Sequence, residues 1–378
     1  MNNYVKYSVL ILLLLILVLA FVPFRKTCTD LTPYDSCSKN KPFYCDNGTL
    51  VEKASVCGCS YNYILKDEKC EKIQRCADRT VYGKCSLEKP FYCDNGTLTE
   101  KSSLCGCPAD EAPQNEKCAS IYVLDPSLKS FKYVLRGEKG KINFQLSSGM
   151  NNYLSALPRY YYCTPECPSD RDLELRFIDE AKQKSVLAEL ADSIKEKTSS
   201  RDDQARIAIS LVQEIPYDSA SASDLNITER YPYEVIYDNT GICGEKSRLL
   251  VFLLRELGYE TALFDYDAEK HMAAAVKCPL EYSHNNTGYC FIESTKPAII
   301  TDDQGSYGPA GKLYSAPKII VISDGDSFNA SEEYADARKW IRISNVSSSE
   351  LLNMSDYKLW LSIAEKYDIQ FILNETNA

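Results

Sequence analysis

Apolar and polar positions follow three different rhythms along this 378-residue chain. Val9 to Val22 is an unbroken, uncharged apolar run, preceded by Lys6 and followed by Pro23, Arg25 and Lys26. With Tyr7, Ser8, Pro23 and Phe24 it approaches the ~20 residues that a bilayer span needs. A cleavage-site match, Val18-Leu19-Ala20, falls inside the run rather than after it. The run therefore reads as an uncleaved signal anchor over residues 1–26, with the bulk of the chain outside the cell at the cell membrane. From 27 to 120 regularly spaced cysteines replace apolar periodicity, and from Ile121 the pattern becomes that of a folded core.

In that last region Phe131–Leu135 and Lys141–Leu146 alternate as two strands around a Gly-Glu-Lys-Gly turn. Between Asp172 and Lys197, Leu173, Phe177, Ile178, Ala181, Val186, Leu187, Leu190 and Ile194 have helical spacing over one or two helices. Another helix opens after Ser199-Ser200, where Asp202 and Asp203 suit a first turn, and ends before Pro216. A third begins at Cys243 and runs through Leu249–Leu254 to Leu257, with Gly258 as its cap. Short strands follow at Glu260–Phe264, His271–Val276, Tyr289–Ile292 and Lys318–Ile322, and Ser348–Asp368 closes the chain as a helix. Helices first and strands second predict an α+β fold.

The cysteines change this picture. There are 17, and twelve form two sets of six: Cys28, Cys37, Cys45, Cys57, Cys59, Cys70, and Cys76, Cys85, Cys93, Cys105, Cys107, Cys118. Each member of the second set lies 48 residues after its counterpart, and each set carries a Tyr-Cys-Asp-Asn-Gly-Thr step that predicts a tight hairpin turn. The units, 27–74 and 75–120, are too small for an apolar core, so disulfides would hold them, in any of 15 pairings per unit. No Cys-x2-Cys and no histidine support a metal site there. The repeats read as a spacer or as a module for a surface ligand. Cys163 with Cys167 and Cys278 with Cys290 are two further candidate pairs, which leaves Cys243 alone.

Disulfides persist outside the cell. Asn-x-Ser/Thr acceptors at Asn47, Asn95, Asn226, Asn285, Asn329, Asn345, Asn353 and Asn374 point the same way. Lys plus Arg is 43 against 53 for Asp plus Glu, a net −10. That excludes a nucleic-acid partner and an anionic-membrane surface as the expected binding role. The 27 tyrosines are spread along the chain and mark no recognition stripe.

Cys243 stands in Gly241-Ile-Cys-Gly-Glu-Lys-Ser at a helix start. Such a position favours a nucleophilic thiolate, and its free N–H groups can hold an oxyanion. The flanking glycines would let a substrate backbone approach. Of only two histidines, His271 begins an apolar strand, whereas His284, beside Asn285-Asn-Thr, is expected in solvent. Glu293 ends a neighbouring strand and would orient His271; Asp265 and Asp267 are alternative orienters. Nucleophile, base and acid in this order are what cysteine acyl transfer requires. Tyr217, Tyr231, Tyr233 and Tyr237 are candidates to line the pocket.

From Arg201 to Pro297 these residues resemble the transglutaminase-like superfamily, relatives of papain-type cysteine proteases. The resemblance rests on the helix ending Ile215-Pro-Tyr-Asp, the approach Tyr231-Pro-Tyr-Glu-Val-Ile-Tyr, the Cys243 motif with its helix ending Leu257-Gly-Tyr, His271, and Glu293-Ser-Thr. It implies a transglutaminase-like domain over 121–378 (core 172–325), with helices packed on an antiparallel sheet. It also implies attack on an amide or peptide carbonyl of a protein or peptide substrate, without a cofactor. By match, Cys243 is the nucleophile, His271 the general base and acid, and Glu293 the third member. The third position is usually Asp, and an insertion carrying Cys278, Asn285 and Cys290 separates it from His271. The rival class is a non-catalytic surface adhesion or scaffold protein retaining the fold; a zinc mechanism has few ligands to draw on.

Overall fold

The computed structural model describes residues 26–159, 167–224, 228–307, 310–347 and 351–370. The apolar run Val9–Val22, Cys163, Asn226 and Asn374 lie outside them. Among the described residues no helix is long and apolar enough to cross a membrane. The chain divides between Cys118 and Ala119 into two compact units.

The first unit contains two copies of one fold. In the first copy β1 (Phe43–Asp46) pairs with β2 (Thr49–Glu52), and β3 (Tyr63–Lys66) with β4 (Lys69–Lys72). In the second, β5 (Phe91–Asp94) pairs with β6 (Thr97–Glu100), and β7 (Glu111–Gln114) with β8 (Lys117–Ser120). Cys28–Cys45, Cys37–Cys57 and Cys59–Cys70 close the first copy; Cys76–Cys93, Cys85–Cys105 and Cys107–Cys118 repeat that pairing. Cys28, Cys45 and Cys57 are buried with Ala54, so the disulfides themselves are much of the interior. Loops of this length are worth about 3 kcal/mol each in lost unfolded-chain entropy.

The second unit is α+β with small antiparallel sheets. β9 (Pro126–Leu135) and β10 (Glu138–Ser147) form a long hairpin. Its turn is at Arg136-Gly137, where both residues have positive φ, and not at Gly137–Gly140 as the sequence suggests. Gly140 lies inside β10 opposite Tyr133, whose ring occupies the space a Cβ would need. Helices α1 (Ser148–Ser155), α2 (Asp170–Ile178), α3 (Ala181–Lys195), α4 (Arg201–Gln213), α5 (Pro232–Asp238) and α6 (Cys243–Glu256) follow. The Asp172–Lys197 periodicity thus splits into two helices, each with its own cap, Ser169 and Glu180. Ser200 caps α4 by accepting from Asp203 N–H, so Ser200→Ala is expected to lower stability by about 1 kcal/mol, read from a denaturant midpoint.

Strands β11 (Thr261–Tyr266), β12 (His271–Lys277), β13 (Tyr289–Ile292) and β14 (Lys318–Ser323) make one antiparallel sheet in the order β13-β12-β11-β14. Cys278–Cys290 joins the ends of β12 and β13. Leu263, Ala274, Val276 and Ile292 face the main helical core with Leu250 and Leu254 of α6. Phe264, Tyr266, Ala273, Phe291 and Tyr307 form a second core. Burial on both faces explains why β11 and β12 read as nearly continuous apolar runs. Two helices close the chain, α7 (Ser331–Ser347), which the sequence pattern does not predict, and α8 (Met354–Lys366). Trp340 and Trp360 stack between them at 5.7 Å.

Candidate active site

Cys243 is the first residue of α6 and is half-buried. Among the described residues it is the one free cysteine. The helix starts there because Glu245 receives the N–H of Ile242 at 2.9 Å and that of Arg230 at 2.7 Å. Arg230 also pairs with the Glu245 carboxylate, which is wholly buried. As the first helical residue, Cys243 has no intrahelical acceptor for its own N–H.

His271 opens β12 and Glu293 directly follows β13. The antiparallel register, Ala274 opposite Ile292, makes the two diagonal neighbours on one face. His271 Nε2 and Glu293 Oε2 are 3.0 Å apart, both side chains buried. That bond leaves Nδ1 as the ring nitrogen for Cys243. Burial opposes a charge on His271, but hydrogen bonds to Cys243 and Glu293 outweigh it and raise the imidazole to about 9. Burial likewise opposes the Glu293 carboxylate. His271 and the donors of Thr295, N–H at 2.7 Å and Oγ1 at 2.6 Å, still hold it below the usual range. The imidazolium is thus the stable form below about pH 9. Glu293→Gln should move that titration down by about one to two pH units, followed by NMR with His284→Asn as the assignment control.

Several expectations change. Asp265 lies opposite Met272 and Asp267 pairs with Lys270, so neither is bonded to His271. His284 is not out in solvent; it is partly buried, 2.7 Å from Asp303 and tilted against Phe264. Neither glycine beside Cys243 lies open to a substrate: both are buried. A Cβ on Gly241 would meet Lys246 at 3.1 Å and Val235 at 3.2 Å, and Gly244 packs toward Arg248 and Met272. Of the four tyrosines only Tyr217 reaches the site. Its main chain bridges to Gly241, and burial first, then Cys243 and Glu293, push its hydroxyl up to about 12. Tyr231 and Tyr233 are buried in the helical core, and Tyr237 stacks on Tyr233. The acceptors Asn47, Asn95, Asn285, Asn329, Asn345 and Asn353 are all exposed.

Three supporting groups escape the sequence reading. Lys246, one turn beyond Cys243, is fully buried and donates to the carbonyls of Gln213, Ile215 and Thr295. Burial brings its amine down to about 7, against the pull of Glu293 and Glu214. Gln213 donates to the main-chain carbonyls of Glu293 and Ala298 at 2.8 and 3.1 Å. Tyr307 lies nearly parallel to the His271 ring, 6.3 Å away. A lysine inside a buried leucine-rich helix was a legible signal; Tyr307 arrives from a long loop and has none. Ser247 joins α6 to the sheet, bonding the Met272 carbonyl at 3.1 Å and Ser294 Oγ at 2.9 Å. A cleft of about 780 Å3 adjoins this group, lined by Pro216, Tyr217, Thr295, Tyr307, Trp340 and Ile369 among others.

Among the described residues no group of three or more metal-ligating side chains is gathered. No family model and no curated protein matches the sequence. Among solved structures, calcium-bound LapG of Legionella pneumophila aligns with 46% of this chain and 99% of its own at 17% identity, with a TM-score of 0.23. A TM-score that low carries no argument about activity.

Proposed function

We propose that the second unit is a transglutaminase-like thiol enzyme that attacks amide or peptide carbonyls, with Cys243, His271 and Glu293 as its working residues. The observation that carries this is the buried His271–Glu293 hydrogen bond beside a free cysteine at a helix start. The Cys243 thiolate adds to the carbonyl carbon, and the resulting oxyanion is held by the Cys243 N–H. Tyr217, whose main chain bridges to Gly241 and which lines the adjoining cleft, is the candidate second donor. The intermediate collapses as the C–N bond breaks, and His271 gives its proton to the leaving amine, leaving a thioester. Neutral His271 then takes a proton from water, the hydroxide adds, and the C–S bond breaks to restore the thiolate. Glu293 keeps the imidazole turned and stabilises its charged form.

The adjoining cleft of about 780 Å3 is mixed in lining, apolar at Pro216, Pro297 and Trp340 and polar at Glu214, Lys296 and Asp302, and is the place this reading gives to the polypeptide substrate. Hydrolysis is favoured over cross-linking because water always competes for the thioester. Export, anchoring through Val9–Val22, and a spacer role for the repeats complete the reading. The test is incubation of the purified chain with a peptide library in 18O-water plus a primary amine, read by mass spectrometry. New carboxylates carrying 18O, absent with Cys243→Ala, are expected. Amine adducts alone would make the enzyme a transamidase, and no turnover by either route would remove the proposal.

A further inference from the structure

The two disulfide-linked copies are an internal control for one another. They share strands, turns and disulfide pairing at a 48-residue offset, yet they differ sharply at the hairpin closed by their last disulfide. In the first copy Tyr61, just before β3, and Tyr63, Ile64 and Leu65 within it are 90%, 43%, 53% and 50% exposed. In the second the same places hold Ala109, Glu111, Ala112 and Pro113. All four residues of β3 are exposed, so neither face of this strand is packed. Folding does not require the apolar set, because the second copy makes the same hairpin without it. A cluster of exposed aromatic and aliphatic residues kept in only one copy marks an interaction surface.

We propose that this surface, the exposed strand β3 and not the charged turn Lys66–Lys69 that ends its hairpin, docks on the bilayer in which the N-terminal apolar run is anchored. The proposal rests on the anchor reading of Val9–Val22. Three observations choose the bilayer over other partners. First, only Pro23 to Thr27 separate Val22 from Cys28. Such a length spans at most about 20 Å, so an anchored chain holds the first copy at the lipid surface, whereas no comparable tether fixes the second. Second, tyrosines beside aliphatic residues suit the headgroup–acyl boundary, where an amphipathic ring meets both media. Third, Lys66, Lys69 and Lys72 are matched by Asp67, Glu68 and Glu71, so the hairpin is neutral. It fits a zwitterionic surface, in keeping with a chain whose net charge of −10 disfavours anionic lipid. Inserted to a depth of about 5–10 Å, the hairpin would add a second attachment to the anchor and restrict how the unit tilts.

The test uses the full-length protein reconstituted in phosphatidylcholine vesicles, with Ile64→Trp and, in the matching place of the second copy, Ala112→Trp. Flotation after alkaline carbonate washing reports the anchor. Bromines near the carbonyl end of the acyl chains report contact with the hairpin, with Trp340 and Trp360 of the parent as the emission baseline. The expected result is flotation of all proteins, with the added Ile64→Trp emission reduced about twofold or more by brominated lipid and the Ala112→Trp emission unchanged. Flotation without quenching of Ile64→Trp overturns the docking proposal and leaves the anchor reading standing. Loss of flotation removes both. Equal quenching of the two variants shows that the apolar set has no role and overturns the proposal. So does a blue shift of Ile64→Trp in detergent that grows with protein concentration, since the occupant is then a second copy of this chain.

Discussion

Cys243→Ala is expected to reduce acyl transfer by about 10^4-fold or more while leaving the protein folded. The first half follows from the chemistry. The other cysteines among the described residues are in disulfides, so no second thiol can take over. Without a nucleophile, His271 and Glu293 have only water to activate. The second half follows from position: Cys243 is half-buried at a helix start, and its truncation opens no enclosed cavity, so a midpoint change below about 1 kcal/mol is expected. His271→Ala should cost nearly as much activity, and the double variant little more, because the two residues act as one unit. Additive losses would mean that each contributes separately and would contradict the pair.

Lys246→Met should give the largest stability loss of any single change near the site, about 3 kcal/mol or more, with turnover falling alongside it. Methionine roughly keeps the volume and removes the three donors. The carbonyls of Gln213, Ile215 and Thr295 then remain buried with no replacement. Each such loss costs about 1–3 kcal/mol, offset in part by no longer burying an amine that burial already pulls down to about 7. The lysine also joins three segments: α6, which carries Cys243; the end of α4; and Thr295, which holds Glu293. The His271 titration from about 9 should therefore fall in this variant as well. Chemical denaturation and histidine NMR on one sample check both effects; an unchanged midpoint would show that the carbonyls find water instead.

How much of this was legible in the sequence follows from where each signal is written. Cys243, His271 and Glu293 could be named because a strand pair between β12 and β13 is a local event, and period-2 geometry brings their ends to one face. The helix starting at Cys243 was legible from Leu249–Leu254, which are fully buried. The helix α7 was not, because part of its buried face is charged. Glu333 and Asp336 are buried against Arg206 and Lys366, and beside Ala337 and Ile343 they leave too sparse an apolar stripe to read as a helix. Tyr307, Gln213 and the bonds of Lys246 belong to tertiary packing between distant segments, which no local pattern encodes. The sequence suggests a turn ending at Gly140 because glycine is a turn residue, whereas this glycine sits inside β10 to leave room for the Tyr133 ring. The polar neighbours of His284 suggest solvent, whereas Asp303, which holds it, lies 19 residues away and leaves no local signal.

The most direct test of the thiol–imidazole account is the rate of iodoacetamide labelling of the folded, non-reduced protein at pH 6.5, mapped by mass spectrometry in wild type, His271→Ala and Glu293→Gln. The account predicts that Cys243 labels before any other cysteine. It also predicts about tenfold or more slowing in His271→Ala and an intermediate rate in Glu293→Gln. A Cys243 that labels only after unfolding, or at the same rate in all three proteins, would contradict it.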